Sequence, residues 1–415
     1  MVEMKDSGAV WIGNVPKEWC VDKLKYHLKR NEPRNPGNQQ VLSLYREYGI
    51  IPKDSRDDNH NVTSEDTSKY KYVQKGNFVI NKMKAWQGSV AVSNFEGIVS
   101  PAYYVYEFTD EKIDKRFFHY LLRSCYKDEF RRLSGGIREG QWDLPSEELN
   151  NTLIVFPEIK KQEKIAAFLD VKCAEIDALS IDIQREIDTL EEYKRSVITE
   201  KVTKGLNLDV AMKDSGIDWI GECPAYWKCE RGKYILKYMQ KPIKEDDGVI
   251  TCFRDGEVTL RSNRREDGFT MADKEIGYQG IDVGDLVIHG MDGFAGAIGI
   301  SDSRGKASPV LNVVDTGQNK KYVMYFLRSM AYNNVFLSLA TGIRVRSCDL
   351  RWNKLAELYY PIPPLIEQDR IVGYLDNKCA EIDSINESKK EQLMVLNEYK
   401  KTIIYEYVTG KKEVV

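Results

Sequence analysis

Lys82, Lys84 and Gln87 stand in one short stretch, Lys82-Met83-Lys84-Ala85-Trp86-Gln87-Gly88, between the apolar runs Phe78-Val79-Ile80 and Val90-Ala91-Val92. Such a stretch reads as a loop joining two strands. In a loop, two ammonium groups suit phosphate oxygens, and the Gln87 amide can match the edge of an adenine. The competing reading makes Met83 and Trp86 hairpin core and leaves the lysines solvated. The counterparts later in the chain, Met291 and Phe294, favour core for those two, and the matching loop His289-Gly290-Met291-Asp292 has no lysine. Arg138 and Arg344 each follow Gly-Ile and precede an Asp-Leu. There a guanidinium offers a two-pronged fork to phosphate or guanine, or else an ion pair to Asp143 or Asp349. Arg131-Arg132 and the trio Arg261, Arg264 and Arg265 are further candidates for backbone contact.

Other constellations point to scaffold. Cys173 and Cys379 each lie alone on a helix beside alanine and isoleucine, which suits small buried core better than a metal or redox site. Glu-Tyr-Lys at 192–194 and again at 398–400 matches the end of a nuclease motif. It falls on a heptad helix, however, where a charged face and a tyrosine seam are expected. The glycine-rich Gly290–Gly299 stretch reads as a hairpin. No GxxxxGK[ST] phosphate loop occurs, and the nearest string to the N/D-P-P-Y/F pocket of adenine methylases, Ile362-Pro363-Pro364-Leu365, lacks its polar and aromatic members.

The elements that position these groups are written twice. KDSGAVWIGNVPKEW at 5–19 returns as KDSGIDWIGECPAYW at 213–227, and QEKIAAFLDVKCAEID at 162–177 returns as QDRIVGYLDNKCAEID at 368–383. Between these blocks the copies diverge, keeping only landmarks such as Ser100-Pro101 and Ser308-Pro309. Apolar positions Ile176, Leu179, Ile183, Ile187, Leu190, Tyr193 and Val197 recur at three or four residues, as do Ile382, Ile385, Leu393, Leu396, Tyr399 and Ile403. Both sets predict a long amphipathic helix with a heptad-like seam. A helix of roughly 40 residues measures about 60 Å and cannot bury its seam alone. The expected fold is therefore α+β: two mixed α/β globules separated by two long antiparallel helices, a pseudo-twofold tandem repeat with an intramolecular coiled coil. Pairing between chains of a homodimer is the alternative.

Length and charge set the bounds. The 415 residues call for more than one core, and no apolar run approaches a bilayer span. The opening residues lack the layout of a secretory signal, and eight scattered cysteines without a CxxC pair fit free thiols in a reducing cytoplasm. The formal charge of -3 argues against a uniformly basic nucleic-acid binder. By segment, 20–157 and 228–360 are net +2 and +3, whereas 158–205 and 361–415 are each -2. The globules are the electropositive parts.

The order of the two KDSGxxWIGxxPxxW blocks, the two QxxIxxxLDxKCAEID helices and the KMKAWQGSVAVS…GIVSPAYYVY run resembles the specificity subunit of type I restriction–modification systems, over nearly the whole chain. The resemblance implies a target-recognition domain in 1–157 and another in 206–360, with helical spacers at 158–205 and 361–415. It implies a non-catalytic prokaryotic, cytoplasmic subunit that reads an asymmetric, bipartite site on double-stranded DNA. Its partners would be two methyltransferase subunits and motor–nuclease subunits. S-adenosylmethionine, ATP and Mg would belong to those partners, and this chain would need no cofactor or metal. The rival readings are a stand-alone DNA methyltransferase or nuclease, and a coiled-coil scaffold that binds only protein.

Overall fold

A computed structural model describes residues 3–46, 48–56, 63–64, 66–136, 142–207, 209–264, 276–338 and 350–414. The chain forms two compact units, one of residues 1–183 with 391–415 and the other of residues 184–390.

In the first unit, alternation along short strands makes one sheet serve two cores. Strands Leu28–Arg30, Tyr103–Phe108, Phe78–Asn81 and Val90–Val92 lie side by side in that order, all antiparallel. Phe78, Ile80, Val90, Val92, Tyr104 and Tyr106 point into a large core that includes helix Lys115–Cys125. The residues between them, Val79, Ala91 and Val105, point into a smaller core with Leu42, Leu44, Ile50, Val73 and Val99. Period-two side-chain direction is the reason. The smaller core is closed by the hairpin of Leu42–Tyr45 with Gly49–Pro52 and by the pair Lys71–Val73 with Gly97–Val99. Helix Lys115–Cys125 starts where the Asp114 carboxylate accepts from the backbone N–H of Arg116 and Phe117, and it buries Phe117, Phe118, Leu121 and Leu122.

The second unit repeats this plan with different residues. Its sheet runs Leu236–Met239, Leu311–Thr316, Leu286–His289, Ile298–Ile300. Leu286, Ile288, Ile298 and Val314 face the core of helix Lys320–Tyr332, and Val287, Ala297 and Val313 face Ile250, Cys252 and Val258. Asn319 caps that helix as Asp114 caps its counterpart.

Helices Ile159–Lys204 and Leu365–Val408 have 46 and 44 residues. In each unit a segment of one lies against a segment of the other. In the first unit, Lys400 Nζ meets Asp177 at 2.6 Å. In the second, Lys194 pairs with Asp383 and Lys389 with Glu186, so the index rises along one helix as it falls along the other: the packing is antiparallel. Lys194 and Lys400 belong to the two Glu-Tyr-Lys triplets, whose lysine is thus a cross-helix ion-pair partner. Cys173 and Cys379 are buried.

The seam itself needs a correction. Ile176, Ile183, Ile187, Val197, Ile382 and Ile403 are buried, and Leu190, Leu393 and Leu396 are half-buried. Leu179, Tyr193, Ile385 and Tyr399 are 40–52% exposed. A true heptad alternates steps of three and four. Counted that way, the stripe runs Cys173, Ile176, Ser180, Ile183, Ile187, Leu190, Lys194, Val197 on one helix. On the other it runs Cys379, Ile382, Asn386, Lys389, Leu393, Leu396, Lys400, Ile403. The four exposed residues stand one position off it. Polar residues occupy the seam positions beside them; Asn386 is buried and donates to Glu191 Oε1 at 2.8 Å.

Each long helix is also fastened to its own α/β unit by a buried glutamine. Gln162 Oε1 accepts the Asp114 N–H at 2.9 Å, and its Nε2 donates to Lys112 O and Pro157 O, both at 2.8 Å. Gln368 accepts the Asn319 N–H at 2.9 Å and donates to Pro363 O and Gln318 Oε1. Asp170 then accepts from Tyr120 and Arg116, as Asp376 does from Tyr325 and Lys321.

Candidate nucleic-acid interface

The loop after strand Phe78–Asn81 is short and held from within. Asn81 Oδ1 accepts the Met83 N–H, a single 3-10 turn covers Ala85–Gln87, and Gly88 closes it at a φ of 88°, where a side chain would be strained. Ala85 is the buried member. Met83 is 43% exposed and its counterpart Met291 49%, so the core reading of Met83 is corrected: each methionine precedes the turn and stands outside it. Trp86 is half-buried, packing edge-on against Trp142 at 5.6 Å and donating its indole N–H to Met83 O; Phe294 packs partly against its own core.

Lys82 Nζ lies 2.7 Å from Asp143, which raises the lysine pKa. The carboxylate considered as a partner for Arg138 is therefore already engaged by Lys82. Lys84 is exposed with no ion-pair partner among the described residues, and Gln87 is half-buried. Arg132 grips the buried Glu129 with two bonds of 2.7 Å, and Arg131 projects from the same helix turn. Arg264 bonds Asp255 at 2.7 Å and Glu257 at 3.2 Å, and Arg261 Nε reaches Thr251 Oγ1 at 3.4 Å. Arg138, Arg265 and Arg344 lie outside the described residues.

Sheet pairing adds three groups to Lys82 that sequence spacing did not reveal. Arg30 lies over the Tyr104 ring at 4.4 Å from its centroid, and Lys71 Nζ stands 5.7 Å from the same centroid. Glu32 joins them, at 2.7 Å from Arg30 and 3.0 Å from Lys71. Bonding to Glu32 raises the Arg30 pKa, while burial lowers that of Lys71 and raises that of Tyr104. Three cations and two carboxylates thus surround one phenol on the first unit. No local signal announces this cluster, because residues 30, 71, 82 and 104 meet only through strand pairing.

The same positions of the second unit carry Tyr238, Gln279, Gly290 and Asn312. Gln279 and Asn312 are buried and donate to Leu311 O at 2.8 Å and Leu350 O at 3.0 Å. Tyr238 stacks at a tilt on Trp352, 5.8 Å between centroids. Charge here lies elsewhere: Lys241 bonds Asp282 and Asp285, and Arg304 bonds Asp247 and Asp282, whose carboxyl is pulled down to about 2 by these two cations. One scaffold therefore carries a cationic cluster in one unit and, at the matching positions of the other, two buried amides and a partly exposed tyrosine. Among the described residues no group of three or more His, Cys, Asp and Glu could hold a metal ion. No described helix is long and apolar enough to cross a membrane.

Residues 27–189 match the family model for the type I restriction modification DNA specificity domain. That match is to the same family that the repeated blocks resemble, and it spans 163 of the 415 residues. The fold of the chain is similar to that of a chain from a structure addressing complex assembly and conformational transition of the type I R-M system. That likeness has a TM-score of 0.69 at 14% identity and covers 96% of this chain and 99% of the other. The HsdS subunit from Thermoanaerobacter tengcongensis aligns over 96% and 98% at 14% identity, with a TM-score of 0.49. The S subunit of a type I system from M. genitalium aligns over 96% and 97% at 12% identity, with a TM-score of 0.36. No curated protein matches the sequence.

Proposed function

We propose that this chain is the non-catalytic DNA-reading subunit of a type I restriction–modification complex, with target-recognition domains at 1–157 and 206–360 and helical spacers at 158–205 and 361–415. The observation that carries the reading is the contrast just described. Two copies of one α/β scaffold keep their helix fastenings and differ in the chemistry at matching positions, where one has exposed or half-exposed cations around a tyrosine and the other does not. Proteins that must read two unlike half-sites need that division, because phosphate contacts position a reader while side-chain chemistry at the bases specifies. The half-sites are therefore unlike, and the target is asymmetric and split. Lys82, Lys84, Gln87, Arg131, Arg132 and Arg138 serve the first half-site, and Arg261, Arg264, Arg265 and Arg344 the second.

The exposed apolar pairs Leu179 with Ile385 and Tyr193 with Tyr399 recur at the same positions of the two helices. Repeated exposed apolar side chains suit one kind of partner bound twice, here two methyltransferase subunits, with motor–nuclease subunits joining for cleavage. S-adenosylmethionine, ATP and Mg act on those subunits, in the prokaryotic cytoplasm. The test is co-expression with the methyltransferase subunit followed by genome-wide mapping of N6-methyladenine. One split, non-palindromic motif is expected, and exchanging residues 20–157 for those of a relative should change one half. A change in both halves would remove the independent readers.

A further inference from the structure

The two variable regions share one more pattern, which takes in Arg264, already a candidate above, and adds Arg56 as its counterpart. SLYREYGIIPKDSR at 43–56 and TCFRDGEVTLRSNR at 251–264 align without a gap. They keep an aromatic residue (Tyr45, Phe253), the arginine after it (Arg46, Arg254), an acid next, and a second arginine eleven positions beyond the aromatic (Arg56, Arg264). Most of the intervening residues differ.

The structure explains what is kept. Each segment is a hairpin followed by a single 3-10 turn, Lys53–Ser55 in the first unit and Arg261–Asn263 in the second. In each, the residue closing that turn is the second arginine. Arg56 lies 4.6 Å from the centroid of Tyr48 and 5.8 Å from that of Tyr45, and Arg264 lies 4.2 Å from that of Phe253. A third arginine, from the helix behind, fixes each tip. Arg123 donates to Arg46 O and to Val90 O at 3.1 Å; Arg328 donates to Asp255 O at 2.7 Å and Ile298 O at 2.8 Å. The tips face solvent: Arg46, Arg254 and Asp255 are exposed, and Tyr48 is 56% exposed.

We propose that Arg56 and Arg264 are a matched pair of phosphate contacts, one per unit, each held in place by a hairpin ring so that its guanidinium meets the DNA backbone. The proposal rests on the reading of the chain as a DNA-recognition subunit. A group that distinguished bases would be expected to differ between readers of unlike half-sites, as Arg30, Lys71 and Tyr104 differ from Tyr238, Gln279 and Asn312. A group retained in both must touch what the half-sites share, and a duplex repeats its phosphates whatever its sequence. Stacking on an aromatic ring limits the rotamers of a long side chain and fixes the plane of its guanidinium, so that a phosphate can replace its present polar partners without a change of rotamer. In the second unit Asp255 and Glu257 hold Arg264, and a phosphate would exchange with those exposed carboxylates.

The experiment uses the full chain in complex with its methyltransferase subunits and a fluorescent duplex carrying the mapped motif, titrated at several salt concentrations. Arg56→Gln and Arg264→Gln should each weaken binding roughly tenfold at low salt and reduce the slope of log K against log salt by about one. The double variant should reduce it by about two, and the methylated motif should stay the same. Arg56→Lys, which keeps the charge, should keep the slope, and so separates loss of charge from damage to the hairpin. An unchanged slope in both glutamine variants, or a motif degenerate in one half, would overturn the proposal while leaving the DNA-reading role intact. Absence of selective binding by the unaltered complex would remove the DNA-reading role first.

Discussion

His119 gives the first unit a stronger acid sensitivity than the second, where burial lowers the pKa of His289 as well but by a smaller step. His119 lies on helix Lys115–Cys125, and its Nδ1 accepts the Val92 N–H at 3.2 Å, so it is neutral in the folded chain. Burial, helped by the nearby Arg123 guanidinium, pushes its pKa down to about 4. In an unfolded chain the value is about 6.5. The unfolded state therefore takes up a proton first as pH falls, and stability is full above about pH 6.5 and is lost toward pH 4. By about pH 4.5 the loss amounts to about 2.7 kcal/mol, roughly a hundredfold in the opening equilibrium. The matching residue of the second unit is Met324, which is buried and cannot titrate. Hydrogen exchange followed by mass spectrometry on the whole chain can read both units at once, through peptides covering 78–106 and 286–316. The first should lose protection faster than the second between pH 6.5 and 4.5. In His119→Met the first unit should lose its faster acid response, leaving the second with the His289 response alone, at a pH-independent cost of about 1 kcal/mol for the orphaned Val92 N–H. Parallel loss in both units, or an unchanged difference in the variant, would refute the reasoning.

Gln162→Leu should destabilise the first unit by about 2–4 kcal/mol, and Gln368→Leu the second, because each strands buried backbone groups; local exchange protection would show which unit responds. Asn386→Leu should raise the denaturation midpoint, by about 1 kcal/mol, since the Asn386 carbonyl oxygen is buried without a partner. A double-mutant cycle on Lys194 and Asp383 should give a coupling of only about 0.2–1 kcal/mol, as expected for a pair with one half-exposed member. Lys82→Ala should weaken or blur the first half of the methylated motif and leave the second half intact.

The duplication, the long helices and the placing of α/β segments between them were all legible in the sequence, because repeated blocks and three-to-four spacing are local signals. Their fine positions were less so. Leu179 and Tyr193 fit a helical period as well as Ser180 and Lys194 do on apolarity alone, and better; only the packed partner shows that the stripe passes through the polar pair. Arg30, Lys71 and Tyr104 come from three separate strands, and no spacing rule brings them to Lys82. Arg56 with Tyr48 was within reach, since its pattern returns at 251–264, but weak identity hid it among divergent residues. Met83 departs from its expected place for a different reason. A methionine kept in two copies suggests packing, yet here both stand in solvent.

Gln162 holds its unit almost wholly through main-chain groups: the amide of Asp114 and the carbonyls of Lys112 and Pro157. A fastening of that kind is indifferent to which side chains the attached module carries. A foreign module with the same backbone path would find the Gln162 bonds ready-made, so replacement of a whole cassette would need matching changes only where side chains meet the helix, as Tyr120 and Arg116 meet Asp170.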